Sequence, residues 1–483
     1  MKTYCKYILL TVIALLMAAG IHLTQEFRFY NIESNDLLLY DWADIWSRLQ
    51  KTGGLATVLA SFLTQFMRIP FVGTIVVTGL YMLSAYLIHR VLSIRGNNVM
   101  AGFSLLPVAF LFLCMENDYY RFQGHVAFVL MLVVLFAYAS VRMERTRYIT
   151  GILMIPVLFH AAGSVTLVFV ISALVWELTG EGLKGMKAFA YPAVLAAVAC
   201  IYVRYSLLSS WEHALTPFMY YDWPSTYFFP AYAWMLVPVL VFAAWVVSRL
   251  KWKTSYSKAV VTLGIVLSFF LAGNFYGKVH NRNFYRLIQE QYWAENQQWD
   301  KIIKTADRRQ PTFLISYLNL ALAHKGLLVQ NFMYYNSQDL SSIMYPTPNL
   351  KAGLTLQSTV YSAWDYHAAA RQAAFDANVV TSGNCNPRQL EALVRTNAAL
   401  GAYDVAMKYI TKLEKTLFYR GLAARLKESV EKGQDVVIPL TDKYLRYEGI
   451  KGDMRDILEA EPSHRILSQF HQVYRIIEKE SAI

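Results

Sequence analysis

The chain has 483 residues and a formal net charge of +12, and it is 56% hydrophobic with only 16% charged residues, which argues against an ordinary soluble domain. The charge is not the footprint of a nucleic-acid binder: residues 1–277 carry 19 Lys/Arg against 12 Asp/Glu and residues 278–483 carry 26 against 21, with no basic stripe in the second half. Four cysteines, Cys5, Cys114, Cys200 and Cys385, supply no disulfide framework.

The chain opens on a basic flank, Met1 to Lys6, followed by an apolar stretch near 7–23 that reads as a signal peptide or a first span. Either one leaves residue 24 outside the cytoplasm. Further spans are expected near 70–89, 99–115, 126–141, 188–208, 231–250 and 259–277. The apolar stretch 148–178 is interrupted at Ala161-Ala162-Gly163-Ser164. As one helix it would be roughly 46 Å long at about 1.5 Å per residue, too long for an untilted span, so two short or broken helices are expected and about nine crossings in all.

With the N-terminus inside, the inner loops hold 13 Lys/Arg against Glu144, Glu177 and Glu181, whereas the outer side of residues 1–277 holds six Lys/Arg against nine carboxylates. This is the asymmetry of a bacterial inner-membrane protein, and an odd number of crossings puts residues 278–483 in the periplasm.

From Lys278 the periodicity is helical. The run 283–306 reads as one amphipathic segment ended before Pro311, 313–328 as another, 360–380 as a third, and 388–416 as a helix, turn and helix broken at Gly401. Residues 331–360, rich in Asn, Ser and Pro, read as an insertion or loop. The fold class is therefore all-α, a transmembrane helical bundle followed by a soluble helical domain (1–277 and 278–483). Leu400-Gly401-Ala402-Tyr403-Asp404-Val405-Ala406 resembles the turn of a tetratricopeptide repeat, and Gln298-Trp299-Asp300-Lys301-Ile302 resembles a second copy. The resemblance implies an α-solenoid with a surface for a protein partner; an irregular helical bundle fits the same residues.

Two outer loops hold acids. The first contains Glu26, Glu33, Asp36, Asp41 and Asp44, and the second carries Glu116-Asn117-Asp118 followed by Arg121 and His125. An acid-x-acid pair can turn both carboxylates to one divalent cation, although a plain acidic outer loop accounts for the first group. Arg121 and Arg204 are candidates for a lipid phosphate, snorkelling to the interface being the commoner role for such an arginine. His160 and Gln65 read as helix-packing groups, and the aromatics from Phe218 to Phe229 as an interfacial belt. There is no phosphate loop, dinucleotide fingerprint, zinc spacing or nucleophile elbow.

The position of the acids resembles the GT-C type of membrane glycosyltransferase. That resemblance implies a catalytic or metal-binding acid among Asp36, Asp41 and Asp44, a divalent cation (Mg or Mn) on Glu116 and Asp118, and a lipid-linked sugar donor drawn from the membrane lipids. Separately, Gly53-Gly54, Phe62-Leu63-Thr64-Gln65-Phe66, Pro70 and Gly73 make the whole chain similar to an uncharacterised family of Bacteroidetes-type membrane proteins, which implies architecture and no activity. Two functions follow: a transferase at the outer membrane face, or a membrane-anchored helical scaffold without enzymatic activity.

Overall fold

The computed structural model describes residues 2–432 apart from 96–97, 118–119, 181–184, 206–207, 209, 222–228, 251–253, 333, 336–341, 343–350, 364–365 and 382–383. Every regular element among the described residues is helical. The chain packs as two units: residues 1–32 with 41–281, and residues 33–40 with the chain from Arg282 onward.

The first unit holds α1 (Lys2–Glu33), α2 (Trp42–Leu49), α3 (Gly54–Thr64), α4 (Pro70–Arg95), α5 (Leu106–Cys114), α6 (Gln123–Ser140), α7 (Glu144–Ala162), α8 (Thr166–Leu178), α9 (Ala190–Arg204), α10 (Trp211–Leu215), α11 (Phe229–Arg249) and α12 (Thr254–Val279). Seven helical segments among the described residues are long and apolar enough to cross a membrane: Ile8–Glu33, Pro70–Arg95, Gln123–Ser140, Glu144–Leu178, Lys187–Arg204, Phe229–Arg249 and Lys258–Val279. Asn98–Cys114 is apolar but shorter. It begins as a 3₁₀ run, Asn98–Leu105, and becomes α-helical where Pro107 sits in the first turn of α5, the position at which a missing N–H costs nothing.

The segment Glu144–Leu178 is not one rod. Arg147 at the start of α7 lies 2.8 Å from Glu177 at the end of α8, whereas 30 residues of straight helix would separate them by about 45 Å. The two helices therefore run antiparallel. The reversal is at Gly163, with φ 59° and ψ −141°, a conformation that side chains with a Cβ avoid. A Cβ there would also run into the Met219 thioether and the Tyr220 hydroxyl.

Glu177 gathers one end of the bundle. Tyr138 from the end of α6 donates to it at 2.5 Å and Arg147 holds both of its oxygens. Arg95, closing α4, donates to the Trp176 carbonyl at 2.9 Å and stacks over its ring. The central helix is α6, which packs on α3, α4, α7 and α8 and buries Phe128, Met131, Leu132 and Leu135 completely. The outer helices are bare by comparison: Leu23 of α1 is 80% exposed and Phe270 of α12 is 64% exposed. An apolar surface this extensive is stable against hydrocarbon rather than water.

The second unit contains α13 (Arg282–Glu295), α14 (Trp299–Thr305), α15 (Thr312–His324), α16 (Leu328–Asn331), α17 (Lys351–Ala363), α18 (His367–Val379), α19 (Pro387–Ala399), α20 (Tyr403–Glu414) and α21 (Arg420–Glu431). From α17 onward each helix packs on the next. The run 283–306 is two helices rather than one: Gln297 takes a positive φ of 56°, and the Gln298 N–H closes the turn on the Trp293 carbonyl at 2.8 Å. Asn296 assists by turning its amide onto the Tyr292 carbonyl, the local competition that favours turns over helix. The segment 360–380 likewise straddles α17 and α18, and residues 351–360 are helical rather than loop. Leu37 from the first loop is buried in this unit beside Cys385, Leu390 and Leu413, and Tyr40 donates its N–H to the Lys415 carbonyl at 2.6 Å. Burying one leucine contributes about 1.5–3 kcal/mol, so a piece of the first loop is a working part of this core.

Candidate functional site

At the end of the bundle opposite Glu177, Glu116 is buried in the turn that follows α5, where its N–H bonds the Leu113 carbonyl. A carboxylate buried away from bulk solvent needs donors, and the ends of two helices supply three partners. Gln25 from α1 donates to Oε1. Arg28, one turn further along α1, donates to Oε2 at 3.0 Å, and His280, just past α12, lies 2.8 Å from the same oxygen. Glu116 is wholly enclosed and Arg28 nearly so, while the His280 side chain keeps 21% of its surface exposed. The His280 ring stacks on Tyr276, which stacks on Phe112. One carboxylate thus ties α1, α5 and α12 together.

Beside it, Tyr120 and His125 Nδ1 are 2.7 Å apart, the His125 ring lies 4.7 Å from Tyr81, and the Tyr81 hydroxyl donates to Met115 Sδ at 3.1 Å. Burial pushes the Tyr120 phenol well up from its ordinary range, so it stays protonated. Above the α7–α8 turn, Tyr220 packs against Gly163 and against Gly53, whose N–H donates to the His160 carbonyl at 2.8 Å. His160 in turn bonds the Tyr202 hydroxyl at 3.0 Å, a packing role.

The acids singled out in the sequence are engaged separately. Asp41 caps α2 by accepting from the Ala43 N–H, and Asp44 pairs with Arg48, whose guanidinium also reaches Ser61. Asp36 is buried in the 33–40 segment of the second unit. Asp118 lies outside the described residues. Arg121 is exposed ahead of α6, and Arg204 is exposed in the last turn of α9. Both Glu116 oxygens accept from protein groups, a poor arrangement for holding Mg or Mn, and among the described residues no three His, Cys, Asp or Glu side chains come together as a metal site. Gln25, Arg28 and His280, the residues that complete the Glu116 centre, carry no motif in the sequence.

The second unit has its own charged centre. Arg388 at the start of α19 reaches Glu33 at 2.8 Å and Glu295 at 3.0 Å, and the Tyr419 hydroxyl donates to Glu33 at 2.7 Å. Burial pushes Glu295 up to about 7 against the pull of Arg388, and pushes Glu290 up to about 8 against that of Arg286.

The sequence profile of a family of unknown function (DUF6057) matches residues 3–479, nearly the whole chain. The chain belongs to DUF6057. The resemblance to an uncharacterised family is thereby borne out. No curated protein and no solved structure matches this DUF6057 chain. Within the family's fold as seen here, Gly53 is a contact point for the 217–221 segment, which gives one of the resembling positions a physical reason.

Proposed function

We propose that this DUF6057 protein is a scaffold of the bacterial inner membrane, in which a bundle of nine crossings anchors a periplasmic, tetratricopeptide-like helical domain that holds a protein partner. The observation that carries the reading is the outer face of α18 and its C-terminal cap, where Phe375, Val379 and the capping Val380 are 47%, 47% and 59% exposed on a helix otherwise packed between α17 and α19. Apolar side chains grouped on one exposed face of a stacked-helix domain are the kind of surface such domains present to partners. The turn between α19 and α20 supports the repeat reading: Gly401 has φ 73°, and Ala406 is fully buried where the helices meet. A photoreactive amino acid in place of Phe375 should give one defined crosslinked adduct in living cells, and the adduct should vanish when Val379 and Val380 are both changed to Asp. No adduct, or a smear indifferent to that change, would end the scaffold reading.

A second reading, group transfer from a lipid-linked sugar at the same membrane face, draws on one observation: His280, partly exposed, is hydrogen-bonded to the buried carboxylate of Glu116. A carboxylate that orients a histidine suits proton transfer from an acceptor hydroxyl. On this reading Glu116 positions the base instead of binding a cation. His280→Gln should then abolish surface-glycan assembly with the protein still present in the membrane at its usual level. Normal glycans from that variant sink it.

A further inference from the structure

Between α1, α4, α5 and α12 the bundle holds a cavity of about 160 Å³. Tyr81 and Val108 form its buried floor, whereas Leu16 and Phe269 at its rim are 57% and 39% exposed. The cavity therefore opens sideways, between α1 and α12, onto the flank of the bundle. Both rim residues lie inside segments long and apolar enough to cross a membrane.

Its wall offers hydrocarbon and little else. The two side chains with polar atoms turn them elsewhere: the Tyr81 hydroxyl donates to Met115 Sδ and the Ser268 hydroxyl to the Gly264 carbonyl at 2.7 Å. A cavity of about this size lined by apolar groups stays dry and accepts an apolar guest. Small residues keep it open. A Cβ placed on Gly20 would meet nothing within 4 Å, and Ala109, Ser268 and Ala272 complete the wall. The mouth is continuous with the exposed apolar faces of α1 and α12, which acyl chains of the bilayer cover.

We infer that this cavity is an intramembrane site for one acyl chain of a membrane phospholipid, which enters between α1 and α12. Only hydrocarbon at this depth reaches the mouth, and no unsatisfied polar group in the wall calls for a headgroup. Phe112 closes the cavity toward the Tyr276–His280 stack, so a chain seated there lies one aromatic layer from the Glu116 centre. The site goes beyond both functional readings and stands on the geometry of these four helices alone.

The full-length protein, reconstituted in nanodiscs containing a phosphatidylcholine with a diazirine in one acyl chain, is irradiated and the adducts are mapped by mass spectrometry. Adducts should concentrate on Met17, Val108 and Phe112, which line the cavity. They should be lost in Gly20→Phe, which fills it from α1, and in Ser268→Leu, which fills it from α12. They should persist in Gly273→Phe, since a Cβ at Gly273 also meets open space but does not line the cavity. Labelling spread evenly over the exposed faces of α1 and α12, or labelling of Met17, Val108 and Phe112 that survives Gly20→Phe, would overturn the assignment.

Discussion

Helices α12 and α15 are both apolar, yet their surroundings are opposite. In α12, Leu263, Val266 and Phe270 face outward, whereas every residue of α15 from Leu314 to Ala323 is buried. The bundle's outer helices turn apolar side chains to the surface and close polar groups inside, as at Glu116 and Glu177. The second unit closes its apolar groups inside. The difference teaches that apolarity alone does not identify a span: α15 has 13 residues, about 20 Å of helix, against about 39 Å for the 26 of α12. Length against the bilayer separates the two.

The two Arg–carboxylate centres sharpen that comparison, and the largest effect is expected in the bundle. Glu116→Ala leaves the Arg28 guanidinium buried with its carboxylate gone, a loss of about 3–5 kcal/mol, and should show as collapse of the monodisperse species in detergent. Glu116→Gln, which keeps an acceptor, should lose less. If the alanine variant melts with the wild type, the three-helix tie at Glu116 is not what holds α1 and α12 to α5.

A smaller effect is expected at the α7–α8 reversal. Gly163→Ala must place a Cβ in a disfavoured backbone region and against Met219, at a cost of about 1–3 kcal/mol. Thermal unfolding in detergent measures it, and an unchanged melting temperature would mean that the chain does not reverse there.

A pH dependence is expected in the second unit. The Glu290 side chain is only 1% exposed, whereas that of Glu295 keeps 24% of its surface open. The folded-state pKa of Glu290 is raised by burial from 4.5 to about 8. The folded state therefore holds the proton more tightly than the unfolded chain. The stability from this group is full below about pH 4.5 and is lost as pH rises toward 8. Glu290→Gln does not titrate, so the variant should gain steadily on the wild type between pH 5 and 8. A stability difference that stays flat across that range would contradict the buried, protonated carboxyl.

The helical class and the apolar segments were legible in the sequence because bilayer thickness and helical rise impose a length that survives without any knowledge of packing. The split of 283–306 was not, because the residue that takes the positive φ is Gln297 rather than a glycine, which would have marked the turn. At the site, Glu116 stood out by its place at the end of an apolar run. Its partners did not: Arg28, Gln25 and His280 lie 88, 91 and 164 residues away along the chain. Glu33 belonged to an acidic loop until folding brought it to Arg388, 355 residues on. Such pairings are made by tertiary structure, and no local spacing announces them.

In the proposed topology the start of α7 meets the cytoplasm and the chain from Arg282 onward meets the periplasm. Single cysteines at Thr146 and Lys301, both exposed, introduced into a background with the native cysteines removed, test this directly with a membrane-impermeant maleimide on intact spheroplasts. Labelling at position 301 without permeabilisation, and at 146 only after it, is the expected result; the reverse pattern, or equal labelling of both, contradicts it.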